Sequence, residues 1–221
     1  MTTMTTHNSP AEARAPFAKA EDGNAGIEFA LLAPFIVGIY LGLAELSLAM
    51  SVDRQVSHSA SVAGDLATQA MQLDTDQIAD IMSATMRVAG VRDAQNMTIE
   101  LQSFSKDASG KITNLGTATY NDSGADKLPD FDVASLGNDL LSEDSGVVVA
   151  RVRYPYKPLG LSSRKRRSDG KTWIDDEIDF VETFLLKPRR STEIEIVGED
   201  AVTTCTGPYT GVICSSSATT P

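Results

Sequence analysis

The sequence predicts an α+β protein: a long N-terminal helix, apolar in its first half and amphipathic in its second, packed on an antiparallel β-sheet. Three observations predict it. Residues Ala25–Met50 read AGIEFALLAPFIVGIYLGLAELSLAM, with no charge from Phe29 to Ala44. Val52, Val56, Ala60, Ala63, Ala67 and Ala70 then recur at helical spacings, the stripe of one face. Downstream, apolar and polar residues alternate in several short runs, the period of a half-buried strand.

Each element follows in order. Met1–Asp22 is rich in Thr, Ala and small polar residues, with Pro10 and Pro16 and no periodicity. Such a segment buries too little apolar surface to fold, and it reads as a leader. The apolar run beyond it has about the ~20 residues a helix needs to cross ~30 Å of hydrocarbon. A secretory signal would have a shorter apolar region ending at a small-x-small site, and two glutamates within the run do not suit one. After Met50 the helix continues with Asp53, Arg54, Gln55 and Asp65 off the small-residue stripe. A second helix is predicted at Asp74–Ala89. Asp74 with Gln77 has the form of a capping box, Ile78, Ile81, Met82 and Met86 share a face, and Gly90 stops it.

Strand patterns follow. Met97, Ile99 and Leu101 alternate with Thr98, Glu100 and Gln102. Val148, Ala150, Val152, Tyr154 and Tyr156 alternate over a longer run, with Arg151 and Arg153 on the other face. Ile178, Phe180 and Phe184 share a face, Ile194 and Ile196 give a further strand, and Lys111–Tyr120 is a weaker pattern. Lys106–Gly110, Asn121–Gly146 and Gly160–Asp169 read as loops. The middle one is long and acidic, an expected exposed excursion. The division is thus a leader at 1–23, a transmembrane helix at 24–50 and an α+β domain at 51–221.

Composition narrows the function. The 221 residues carry a formal net charge of -11, which repels phosphate backbones and disfavours nucleic acid. His7 and His58 are far apart and the two cysteines lie near the C-terminus, so no Cys/His cluster has metal-ligand spacing. No phosphate-binding glycine loop, nucleophile elbow or zinc-protease helix motif occurs. No cofactor or metal is expected, and no catalytic constellation points to an enzyme.

The segment Gly23-Asn24-Ala25-Gly26-Ile27-Glu28-Phe29 carries the functional signal. An ionisable group inside a membrane segment costs roughly 2.5–3.5 kcal/mol on insertion scales, so Glu28 wants a partner. Cleavage after Gly23 would supply one. The new α-amine on Asn24 would lie one helical turn from Glu28, or within reach of Glu28 in a neighbouring subunit.

This arrangement resembles the processing site of type IV prepilins, in which a membrane aspartyl peptidase cuts after Gly and the fifth mature residue is Glu. More narrowly, GIEFALLAPFIVGIYLGLAEL followed by a small-residue amphipathic stretch resembles the TadE-like family, minor pseudopilins of tight-adherence (Flp) pilus systems. The Glu-Phe-Ala-Leu-Leu-x-Pro segment carries most of the likeness, with Pro34 inside the helix and Glu45 in its second half. Val148–Tyr156, with Pro155 and Pro158, is similar to a strand those proteins carry before a proline turn. The close likeness covers about fifty residues. The leader departs from the prepilin pattern, since Arg14 and Lys19 stand against Glu12, Glu21 and Asp22. The positive-residue topology signal is correspondingly weak. The family's larger relatives carry a von Willebrand A-type domain with an Asp-x-Ser-x-Ser metal motif, which this sequence lacks.

The resemblance implies processing at Gly23, Asn24, Glu28 and Phe29 by a prepilin peptidase. It implies a bacterial inner-membrane protein with a periplasmic domain, whose partners are other pilins and the assembly machinery. A permanently anchored, uncleaved scaffold or chaperone of the same apparatus is the other reading. Ala30, Pro34, Gly38 and Gly42 recur every fourth residue and form a candidate helix-packing face. Glu45 reads as an interfacial carboxylate, and Arg164-Lys165-Arg166-Arg167 as a solvated loop. Asp130, Asp132, Asp139, Glu143 and Asp144 crowd one loop without the twelve-residue calcium pattern. Cys205 and Cys214 flank a turn-rich octapeptide and would bond on the oxidising side of the membrane. Closing so small a loop stabilises by about 2.5–3 kcal/mol.

Overall fold

The computed structural model describes residues 24–122, 127–136, 140–158, 177–197 and 201–218. The chain divides into two compact units, one ending at Ala44 and one beginning at Glu45. Helix α1, Asn24–Thr68, supplies residues to both.

In the first unit, the large apolar side chains from Ile27 to Leu43 stand 54–71% exposed. Among the described residues, none covers a side of this segment. Among the described residues it is the one helix long and apolar enough to cross a membrane. Pro34 lies inside it, where its ring removes one backbone hydrogen bond.

The second unit is built on a sheet. Strands β2 (Thr98–Lys106), β3 (Ile112–Tyr120), β4 (Ser145–Tyr156), β5 (Ile178–Leu186), β7 (Ala201–Thr206) and β8 (Ile213–Ala218) lie in the order β5-β4-β2-β3-β7-β8. Neighbours are antiparallel except β3 and β7, which pair in parallel. The sheet is thus mostly antiparallel, as expected. The one parallel pair arises because β7 enters the β3 edge in the same direction before the chain turns back as β8. Two-residue strands β1 (Gln72–Leu73) and β6 (Glu195–Ile196) pair in parallel beside it.

One face of the sheet is covered by helices. Val56, Ala60, Ala63 and Ala67 of α1 are fully buried, and Val52 and Ala70 pack at the edge of the same core. The stripe of small residues lets α1 come close. A Cβ at Gly64 would lie 2.4 Å from Leu186 Cδ1 and 3.2 Å from the Ala150 Cβ. Helix α2, Thr75–Ala89, buries Ile78, Ile81, Met82, Thr85, Met86 and Ala89. Its capping box is present: the Asp74 side chain accepts from the Gln77 N–H at 2.8 Å, and the Asp74 N–H donates to Gln77 Oε1 at 3.2 Å. Gly90 ends the helix at φ 61°, a left-handed position that other L-residues adopt only with strain.

The opposite face corrects the expectation for 121–146. Among its described residues, the segment is not wholly exposed. Its Leu136 and Leu141 are buried against Phe104, Val147 and Val149, with Phe131 and Val133 packed alongside. Leu128 is buried as well, and the Leu128 N–H donates to Asp122 Oδ1 at 2.7 Å. The acids made the segment read as solvated, but apolar residues spaced between them reach inward. Arg151, on the strand face expected to point outward, is therefore buried. Its Nη1 donates to Glu100 Oε2 at 2.8 Å and to the Pro129 carbonyl at 2.7 Å, and its guanidinium lies 5.8 Å from the Phe131 ring centroid. Burial outweighs the Arg151 charge and raises the pKa of Glu100.

Candidate functional site

The residues singled out at the helix start occupy one exposed segment. Gly23 lies outside the described residues, and α1 begins at Asn24. Glu28 falls in the second turn with Phe29 and Ala30 beside it, all exposed. Further along, a Cβ built on Gly38 or Gly42 meets no atom within 4 Å. The Ala30, Pro34, Gly38 and Gly42 stripe is thus exposed, with no side chain among the described residues in the way of a neighbouring helix.

Glu45 has a specific role that the sequence did not reveal. It opens the folded unit, and Tyr156, at the end of β4, donates its hydroxyl to Glu45 Oε1 at 2.6 Å. Tyr156 is only 8% exposed. Burial, and then the hydrogen bond to the Glu45 carboxylate, push the Tyr156 hydroxyl up to about 12. Phe180 leans on the same ring, with centroids 5.9 Å apart. The carboxylate inside the apolar run is thereby matched to a hydroxyl rather than left to water. The signal was present in principle, as a tyrosine ending a buried strand, but nothing in the sequence links positions 45 and 156.

The second anchoring point is the C-terminal hairpin. Cys205 and Cys214 form a disulfide between directly opposed residues of β7 and β8. The hairpin turn is fastened to neighbouring elements through backbone carbonyls. Tyr120 donates its hydroxyl to the Gly207 carbonyl at 2.6 Å, and Ser83 on α2 donates to that of Tyr209 at 2.5 Å. The Arg87 guanidinium lies 5.8 Å from the Tyr209 ring centroid. Arg87 and Tyr209 border an open cleft of about 480 Å³ that also involves Arg92, Asp93 and Gln95. The cleft holds both charge signs and has no convergent reactive groups.

The remaining candidates do not assemble into a site. Asp130 pairs with Lys127 at 3.6 Å, and the Asp132 side chain accepts from the Ala134 N–H at 3.0 Å. Asp139 and the Arg164–Arg167 cluster lie outside the described residues. Among the described residues, no group of three or more His, Cys, Asp or Glu side chains is placed to hold a metal ion. Comparison of the chain with family models, curated proteins and solved structures gave no match.

Proposed function

We propose that this chain is a minor pseudopilin of the TadE-like kind, acting in assembly of a tight-adherence pilus through protein contacts rather than catalysis. The observation that supports the reading best is the fully exposed apolar half of α1, opening at Asn24 with Glu28 in its second turn. In this reading the apolar half sits in the bacterial inner membrane and the folded unit faces the periplasm. A prepilin peptidase trims the leader after Gly23, and the freed α-amine of Asn24 neutralises Glu28 of the same or a neighbouring subunit. The energetic argument is direct. A carboxylate in the second turn of a membrane helix raises the cost of insertion, so its presence is accounted for by a function it serves. Pairing in a low dielectric also aligns neighbouring helices in register. The open Gly38 and Gly42 face provides the contact surface for those helices.

The test separates processing from assembly. Mass spectrometry of the mature protein should find a chain beginning at Asn24, and Gly23→Ala should retain the leader. Glu28→Ala should insert and be trimmed normally yet fail to support pilus formation. An intact leader on the wild-type protein would favour an uncleaved, anchored scaffold of the same apparatus. Normal pili from Glu28→Ala would remove the pairing argument.

A further inference from the structure

The folded unit begins before the apolar run has ended. Glu45–Met50 belong to the folded unit, yet this stretch continues the apolar sequence. Its residues differ in exposure. Glu45 and Ala49 are half-buried, and Ala49 packs against the core. Leu46, Leu48 and Met50 stand 57%, 47% and 52% exposed. Three large apolar side chains on a helix emerging from hydrocarbon belong in the acyl or interfacial layer. The bilayer boundary then runs alongside the domain, not beneath it.

The domain residues at that level can be named. The 2.6 Å bond from Tyr156 to Glu45 brings the end of β4 beside the start of the unit's helix. Tyr156 is opposed in register by Ile178, the first residue of β5, which is 48% exposed. Lys157 and Glu177 follow as an exposed ion pair at 2.8 Å. An open isoleucine beside a neutral charged pair is an amphipathic combination that suits the interface. We propose that this end of the sheet rests in the headgroup layer of the bilayer, with Ile178 against the acyl boundary. The domain is then seated on lipid rather than held clear of it on a bare helix. The attraction is apolar. A chain with net charge -11 gains nothing from anionic lipid, so the seating should not depend on it.

This inference rests on the membrane reading of α1, and the experiment tests the two separately. The full chain, with Cys205 and Cys214 left oxidised, is given a single fluorophore-labelled cysteine as Leu41→Cys, Ile178→Cys or Ala108→Cys. Position 108 lies in the β2–β3 turn. That is the opposite end of the sheet, since Lys106 pairs with Ser145 at the start of β4 while Tyr156 ends it. Each protein is reconstituted in phosphatidylethanolamine–phosphatidylglycerol vesicles carrying nitroxide lipids, labelled at the headgroup or high on the acyl chain. The expected result is loss of fluorescence at 41 and 178 and none at 108, unchanged when phosphatidylglycerol is omitted. Quenching at 41 with 178 as bright as 108 would overturn the seating and leave the membrane helix standing. No quenching at 41 would overturn both. Equal quenching at all three positions would also refute the seating, because the far end of the sheet would then lie on lipid as well.

Discussion

Gly64 sets how closely α1 approaches the sheet, and adding atoms there should separate the two by a calculable amount. The Cβ of Gly64→Ala would stand 2.4 Å from Leu186 Cδ1 and 3.2 Å from the Ala150 Cβ. Leu186 is half-buried on edge strand β5, so its terminal methyl can rotate away. Ala150 has no rotamer to change, and α1 must lift by a few tenths of an ångström. Overpacking of this kind costs about 1–3 kcal/mol. Replacing a mid-helix glycine returns about 1 kcal/mol, so Gly64→Ala should lose about 1 kcal/mol net. Gly64→Val adds two more carbons against the same wall, forgoes part of the propensity gain, and should lose about 3 kcal/mol. With a urea slope of about 1–3 kcal/mol per molar, the valine variant's midpoint should fall by about 1–3 M. The assay is urea unfolding of the full chain in detergent micelles, followed by far-ultraviolet circular dichroism. Gly38→Ala, where nothing lies within 4 Å, is the control: with no overpacking to offset the helix-propensity gain, it should not lower the midpoint. A Gly64→Val protein that unfolds at the parent's midpoint would refute the close approach.

Non-reducing peptide mapping should link Cys205 to Cys214, and Cys205→Ser should lower stability by about 2.5–3 kcal/mol; free thiols in the native protein would contradict the bond. Tyr156 ionises near 10 when unfolded but is pushed up to about 12 when folded, so stability should fall as pH rises through that window, and Tyr156→Phe should lessen that fall, leaving what the raised Tyr120 and Tyr154 hydroxyls contribute. Because the folded-state pKa of Glu100 is raised, folding takes up a proton there. Its contribution is full below the unfolded value and declines as pH rises through the folded one; Glu100→Gln should remove this slope, read from urea midpoints across acidic pH. The same substitution leaves Arg151 buried without its counterion and should cost about 3 kcal/mol, most of it recovered in Glu100→Leu/Arg151→Met.

Helix α2 was legible to within one residue, because capping chemistry is local: Asp74, Gln77 and Gly90 each act within one turn of their own position. The amphipathic half of α1 was equally plain from its alanines, and the central strands from strict alternation. Strands β7 and β8 were not foreseen. Their inward residues include Ala201, Thr203 and Cys205, which are small or polar and give little hydropathy contrast, and β8 is mostly serine. The lid over Val147 and Val149 was hidden by composition, since Leu128, Leu136 and Leu141 are scattered among acids. Glu100 and Arg151 could have been matched by strand parity, as they stand directly opposite in the β2–β4 register. The Glu45–Tyr156 bond could not, because it joins positions 111 residues apart through tertiary packing alone.

The disulfide's position has a consequence for how the chain matures. Its cysteines are nine residues apart and sit on one hairpin, whereas the β3–β7 pairing must bring Thr117 to Val202 across the chain. Closing the short loop carries far less entropic cost than closing the long one, and local pairings form first. Oxidation can therefore occur on the hairpin alone, before the sheet is complete, and with two cysteines in the whole sequence it cannot choose a wrong partner within the chain.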